Sequence, residues 1–409
     1  MTYTFHENTD LNLFDDFVIH SDQNSLFQNT KWAEVKDNWD HLYTSVTKEG
    51  EMVGAALVLI RSLPLGMTLF YVPRGPVMDY SNHELVSFFL ENLKTLAKKR
   101  KAIALRFDPA LLSRVYPYTE HKEEHEYMNN DVIEYLKSLG AVHSGFTTYI
   151  EESTQPRYNA AMPITENVRG TVSRKVIKRI ERAEQSGVRV LEGHEYLDDF
   201  AAAMHYTEVR KGVALRNREY FKHMMEIYGD HCICLVSRLN VKEEYDRIAS
   251  SIKEREELLA GEDVSRKQRR LNEEALANEK KELEKISENL KTETADDVVT
   301  CGVLAVYNER LMEIFYMGNH PNYLRTFSSY LLYETLIERC GTLGIERCSF
   351  GGIEGTLDDG LTAFKSNWPM EVEEYIGEFN FVLNPVVYKG FSEVYPKMLK
   401  LAAKMRGKS

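Results

Sequence analysis

Two stretches of this chain carry the same succession of structural signals at similar internal distances, and a repeat of that kind restricts the possible folds more than any single motif does. The first opens on an apolar run at 54–60, continues through 68–76, and closes with a helical pattern over 84–99 and a strand-like run at 103–107. The second opens at 302–307, continues through 313–319, and closes with a helical pattern over 328–340 and a strand-like run at 345–350. Period 3.6 supports the helices: Leu85, Phe88, Phe89, Leu93 and Leu96 share one face, as do Leu331, Leu332, Thr335, Leu336 and Ile337. The remaining runs are short, β-rich and bounded by Gly, Pro or Asn. Each copy reads strand, turn, strand, helix, strand. The expected class is α/β (α+β), with a mixed sheet in each of two tandem subdomains: residues 1–155, and residues 156–240 together with 298–409.

A third piece, 241–297, interrupts the second copy. Within a highly charged sequence it places Tyr245, Ile248, Ile252 and Leu259 before a break at 260–263, then Leu271, Leu276, Leu283, Ile286 and Leu290. This spacing predicts two antiparallel helices that form a coiled-coil arm. A stripe so narrow buries little beyond its own seam, so the arm is expected to project into solvent. It falls between the apolar runs 232–236 and 298–302, where a hairpin turn is otherwise expected.

At 409 residues the chain is long for one core and suits two domains plus the arm. A formal charge of −12 argues against unspecific coating of nucleic acid, so any RNA contact needs a confined basic patch. One candidate is Arg169 with Arg174, Lys175, Lys178, Arg179 and Arg182, of which Arg174, Lys178 and Arg182 lie on one helical stripe. The five cysteines, Cys232, Cys234, Cys301, Cys340 and Cys348, form no CxxC pair and follow no secretory signal, which suits buried thiols in a reducing cytoplasm. The longest apolar run, 54–60, is far short of the ~20 residues of a spanning helix. The end of the chain, 395–409, sets Met398, Leu401 and Met405 among five basic residues, a tail suited to anionic lipid or simply to solubility. His121 and His125 lack HExxH order, so no metal is expected. No Ser or Cys stands in a nucleophile elbow, and nothing calls for a cofactor.

Five segments follow one another in a diagnostic order: 28–36, containing Trp32 and Lys36; 71–80, Tyr-Val-Pro-Arg-Gly-Pro-Val-Met-Asp-Tyr; Phe107-Asp-Pro; Tyr316-Met-Gly-Asn; and Phe350-Gly-Gly-Ile-Glu-Gly running on to Ala-Phe-Lys365. Together they resemble the Fem family of peptidoglycan bridge-forming aminoacyltransferases over essentially the whole chain, and its streptococcal MurM and MurN branch in particular. The resemblance implies two acetyltransferase-like (GNAT-type) subdomains and transfer of Ala or Ser from aminoacyl-tRNA to the ε-amine of a stem-peptide lysine. The acceptor would be a lipid-linked or UDP-linked muropeptide, and the protein would work in the cytoplasm with peripheral contact to the inner leaflet. It further implies that Lys36, Arg216 and Tyr220 bind the muropeptide pyrophosphate, with Arg74 and Trp39 in the same substrate-binding set. Asp108, Tyr316 and Lys365 match positions of the acyl-transfer centre, and Arg174, Lys175, Lys178 and Arg182 fall in a basic segment where tRNA is expected.

The chemistry suits those residue types. An alkylammonium of pKa ~10.4 must lose a proton before it attacks an ester, and a carboxylate such as Asp108, just past a strand end, can position or deprotonate it. The tetrahedral intermediate carries an oxyanion, for which Lys365 is the candidate cation. Arg and Lys together suit a diphosphate. Each position has a plainer alternative: a turn-forming Asp before Pro, a surface Lys, a core Trp. Two other functions also remain open, an acyl-CoA-dependent N-acyltransferase and a scaffold whose arm docks a protein partner.

Overall fold

The computed structural model describes residues 2–391 apart from 166, 213–215, 262–263 and 293–296. The basic segment 395–409 lies outside the described residues.

Both expected repeats form, with identical local topology. In the first, Glu51–Ser62 pairs antiparallel with Thr68–Val72, which runs parallel to Ala102–Phe107 after the crossover helix His83–Lys99. In the second, Asp297–Tyr307 pairs antiparallel with Leu311–Asn319, which runs parallel to Arg347–Gly352 after the helix Ser328–Thr342. The crossover helices bury the leucine and aromatic faces that their period marks out. Glu334 is the charged residue buried on the second, and Arg169 grips it with two hydrogen bonds of 2.6 and 2.9 Å.

The first sheet runs in the order Tyr3–His6, Asp40–Lys48, Glu51–Ser62, Thr68–Val72, Ala102–Phe107, Phe379–Val382, Val142–His143, with Val77–Met78 pairing off Glu51–Ser62. The second runs Arg189–Glu192, Cys232–Asn240, Asp297–Tyr307, Leu311–Asn319, Arg347–Gly352, Tyr158–Pro163, Glu371–Tyr375, Leu112–Pro117. A division at residue 155 therefore separates neither sheet cleanly. Phe379–Val382, from near the end of the chain, fills the gap between two strands of the first half. In return, Leu112–Pro117 from the first half closes one edge of the second sheet. Stacking of Phe107 on Phe379 and Phe381, at 5.5 and 5.6 Å between ring centres, secures the incoming strand.

Glu51–Ser62 reads as a nearly continuous apolar run because both of its faces are buried. Ala56, Val58 and Ile60 pack under the first crossover helix, whereas Ala55, Leu57 and Leu59 join a core shared by both halves with Trp32, Phe200, Phe221, Met224 and Leu304. That shared core fixes the two sheets against each other. On its far side the helix Leu197–Lys211 presses so closely on Leu311–Asn319 that a Cβ at Gly318 would lie 2.3 Å from the Ala203 carbonyl. The glycine of the Tyr-Met-Gly-Asn segment is thus a packing requirement.

The interruption consists of two helices, Val241–Ala260 and Arg266–Thr292, entered directly from Cys232–Asn240. Ion pairs between Arg255 and Glu279 and between Glu256 and Lys280, with Arg269 reaching back to the Leu259 carbonyl, set an antiparallel pair. The expectation of a freely projecting arm needs correcting at its base. Val241, Ile248, Ile252 and Ile286 are buried in the core of the second half, while Leu258 and Leu271 near the tip are exposed. The seam at the base is wide enough to serve two contacts, one with the partner helix and one with the globule.

Candidate active site

Asn29 caps the short helix Thr30–Val35 by accepting from Lys31 N, and the helix ends at Lys36, whose ammonium turns back over Trp32 at 4.4 Å from the ring centre. Trp32 is held in place by stacking on Phe315 and an edge contact with Phe27. From the other half, Asn217 caps the helix Arg218–Tyr228 by accepting from Tyr220 N, so the Tyr220 ring stands in its first turn. Lys36 lies 5.9 Å from that ring and the Arg216 guanidinium 4.9 Å. The Tyr220 hydroxyl reaches the Tyr316 hydroxyl at 3.3 Å. Four residues singled out in the sequence, Lys36, Arg216, Tyr220 and Tyr316, thus meet where the two halves join. Burial and the adjacent Arg216 charge pull the Lys36 ammonium down to about 8, while Arg216 itself is exposed. Two cations over aromatic rings, with no ion-pair partner among the described residues, form a site for an anion.

Trp39 stands apart from this cluster in its contacts. Its ring faces Arg61 at 5.5 Å, and its backbone N donates to the Lys36 carbonyl. Trp32, not Trp39, is the indole beneath Lys36.

Asp108 follows its strand directly into the junction and is buried. Oδ1 accepts from Arg74 N at 3.1 Å, and Oδ2 lies 3.9 Å from Arg74 Nη1. Neither Oδ2 nor the neighbouring buried Tyr71 hydroxyl has a hydrogen-bond partner among the described residues. Burial pushes the Asp108 carboxyl up to about 7, against the pull of Arg74 and with a further push from Glu378. A carboxyl that titrates near neutrality with one open lone pair can accept or hold a proton. Arg74 is a clamp between the halves: it adopts φ +52, donates through Nη2 to the Pro156 carbonyl at 2.7 Å, and lays its guanidinium on Tyr375 at 3.9 Å. Gln28, also within a motif segment, is wholly buried; it donates to the Pro73 carbonyl and accepts from Leu57 N, which holds the loop carrying Arg74.

Lys365 is buried at the end of the helix Gly360–Lys365, and its ammonium donates to the carbonyls of Gly351 and Gly352 at 3.1 and 2.9 Å. The glycines of this segment allow close approach of other parts of the chain. That approach is by the protein's own side chains: a Cβ at Gly352 would meet Pro156 at 2.5 Å, and one at Gly355 would meet Tyr158 at 2.3 Å. The carboxyl of Glu313 feels the charges of both Arg74 and Lys365. Sequence reading missed Glu313 and Tyr71. For Glu313 the signal was present, since it is the lone charged residue in the strand Leu311–Asn319.

The basic segment forms the helix Arg174–Gln185, capped by Ser173. Arg174, Lys175 and Lys178 are exposed and line a surface groove with Arg179 and Phe327. Arg182, placed with them on the sequence stripe, lines the same groove, but its guanidinium is also tied to the arm through Glu282 at 2.8 Å. Arg179 likewise holds the Tyr330 hydroxyl and Asn367. His121 and His125 are each tied to a backbone carbonyl and stacked on Tyr118 and Tyr116.

Comparison with known proteins fits this geometry. Residues 10–396 match the model of the FemAB family. A lipid II:glycine glycyltransferase of Staphylococcus aureus strain MRSA252 is 28% identical over 426 aligned positions, covering 96% of each chain. The crystal structure of FemX superposes with a TM-score of 0.73 at 25% identity, over 95% of this chain and 99% of that one. Repeat, junction and motif order therefore lead to one assignment: the chain belongs to the FemAB family.

Proposed function

We propose that the protein is an aminoacyltransferase that extends the interpeptide bridge of peptidoglycan, moving a small amino acid from aminoacyl-tRNA to the ε-amine of the stem-peptide lysine on a diphosphate-bearing muropeptide. The observation that carries this reading is the meeting of Lys36, Arg216 and Tyr220 at the junction of the halves, in a chain whose S. aureus relative is named for lipid II. A diphosphate supplies the anion that those two cations lack. Asp108 takes up the proton of the attacking amine, Lys365 with the Gly351–Gly352 backbone shapes the ester side, and Tyr316, tied to Tyr220, links the diphosphate grip to the transfer centre. Arg174, Lys175 and Lys178 contact the tRNA acceptor stem.

The donor amino acid is proposed as Ala or Ser, as the MurM and MurN resemblance implies, although the S. aureus relative is named for glycine. Catalysis takes place at the cytoplasmic side of the membrane with peripheral contact. No helix among the described residues is long and apolar enough to cross a membrane. The test is transfer by purified protein from alanyl-, seryl- and glycyl-tRNA to lipid-linked and UDP-linked lysine muropeptides, read by mass spectrometry. A branched product that disappears with RNase is expected. Failure with every donor and acceptor pair, or turnover that survives RNase and needs a CoA thioester, overturns the reading.

A further inference from the structure

The face of the second sheet that looks toward the first half is apolar where Leu304 and Val306 join the shared core, but it turns polar across Leu311–Asn319, Arg347–Gly352, Tyr158–Pro163 and Glu371–Tyr375, where an enclosed sheet face is ordinarily apolar. Strand register sets Glu313 beside Ser349, Ser349 beside Ala161, and Ala161 beside Glu371, with Asn159 and Glu373 paired two residues away. These groups and Arg347 form the floor of a cavity of about 390 Å³, whose opposite wall includes Ser25, Phe27 and Arg74. Most of its charges are already matched. Glu373 accepts from Asn159 at 2.7 Å, from Arg347 at 2.8 Å and from the Tyr375 hydroxyl at 3.1 Å, and Arg347 also pairs with Glu371 at 2.8 Å.

Glu313 differs. No Lys or Arg among the described residues forms an ion pair with it, and burial outweighs the Ser349 hydroxyl and the more distant Arg74 and Lys365 charges, pushing its carboxyl up to about 7. A half-buried carboxylate that lines a cavity and has no ion-pair partner among the described residues is stabilised by a cation entering that cavity. The cavity also lies where a reacting ester has to sit. Arg74 connects its wall to Asp108, and Gly351 and Gly352, the carbonyl partners of Lys365, follow Ser349 on the same strand.

Building on the reading of the protein as an aminoacyltransferase, we propose that this cavity holds the α-ammonium of the aminoacyl group being transferred, with Glu313 as its counter-charge. The acceptor amine is the poorer occupant, because it must be neutral to attack and a carboxylate partner favours its charged form. The donor ammonium has the opposite need: kept protonated, it stays unreactive and draws electrons from the ester carbonyl.

Calorimetry with a non-hydrolysable 3′-alanylamido-adenosine and its deaminated propionyl analogue isolates this contact without acceptor or turnover. Wild-type protein should bind the aminated compound at least about tenfold more tightly. Glu313→Gln should shrink that preference to within about twofold, and Glu313→Asp should restore part of it. The preference should also fade below about pH 7, as Glu313 gains its proton among Arg74, Lys365, Glu373 and Ser349. In kinetics, E313Q raises KM for the charged tRNA and leaves KM for the acceptor unchanged. An equal preference in wild type and E313Q, a wild type with no preference, or a KM rise confined to the acceptor overturns the proposal. Should E313Q unfold, the wild-type preference and its pH dependence read the same contact. Ammonium-dependent binding in a protein that transfers nothing would leave this site standing and remove the functional reading instead.

Discussion

At Lys36, burial and the Arg216 charge act in the same direction, lowering the ammonium from the ordinary 10.5 to about 8. A diphosphate reverses the second effect by pairing with both cations. Acceptor affinity is therefore expected to fall as pH rises through about 8, where the free protein's amine loses its proton. Lys36→Arg, charged throughout, should flatten that profile, and Lys36→Ala should cost about tenfold or more at neutral pH. Acceptor KM measured from pH 6.5 to 9 checks both, and a flat wild-type profile would count against the diphosphate assignment. For stability, native Lys36 binds fewer protons than the unfolded chain between about 8 and 10.5, so its contribution rises with pH across that window. Asp108 has the reverse sign. Between its ordinary 3.8 and about 7 the native state binds more protons than the unfolded one, so its contribution to stability declines as pH rises. Asp108→Asn should lower turnover by about a hundredfold or more while melting at pH 8 no earlier than wild type. Loss of both together would make Asp108 a structural residue. Lys36 lies in one of the ordered segments, whereas Arg216 and Tyr220 entered only through the family resemblance; the structure brings the three side chains together. Tyr71 was not legible in the sequence, because its proximity to Asp108 depends on the parallel register of two strands, which no local pattern encodes.

The elements themselves were readable from period and breakers, and both crossover helices formed close to where their apolar faces placed them. The arm shows where that reading stops. A heptad-like stripe states that a helix has a partner, not how many partners it has, and only the fold reveals that Ile248 and Ile286 also face the globule. Ile248→Ala is expected to cost about 2–4 kcal/mol in denaturant unfolding, against less than about 0.5 kcal/mol for Leu271→Ala near the exposed tip. Equal effects would mean that the base is not docked. Arg182 illustrates the same limit: its stripe suggested nucleic acid, yet its guanidinium joins the arm to the globule through Glu282. Charge reversal at Lys178 should therefore weaken tRNA binding and its salt dependence, whereas reversal at Arg182 should chiefly loosen the arm.

Across the whole molecule, the duplication was visible as repeated order, but the exchange of strands between the halves was not. Phe379–Val382 and Leu112–Pro117 are short runs whose neighbours lie more than two hundred residues away in sequence. The exchange predicts one cooperative unfolding transition rather than two. It also predicts that residues 1–155 expressed alone show no native-like near-ultraviolet signal; two separate transitions in calorimetry would contradict it. A last consequence concerns the order of birth. The half of the protein that leaves the ribosome first is finished last, because Ala102–Phe107 and Val142–His143 stay open-edged until the chain has been translated past residue 382. A translation product that stops short of residue 379 thus lacks the strand that joins Ala102–Phe107 to Val142–His143, and its first sheet stays in two pieces.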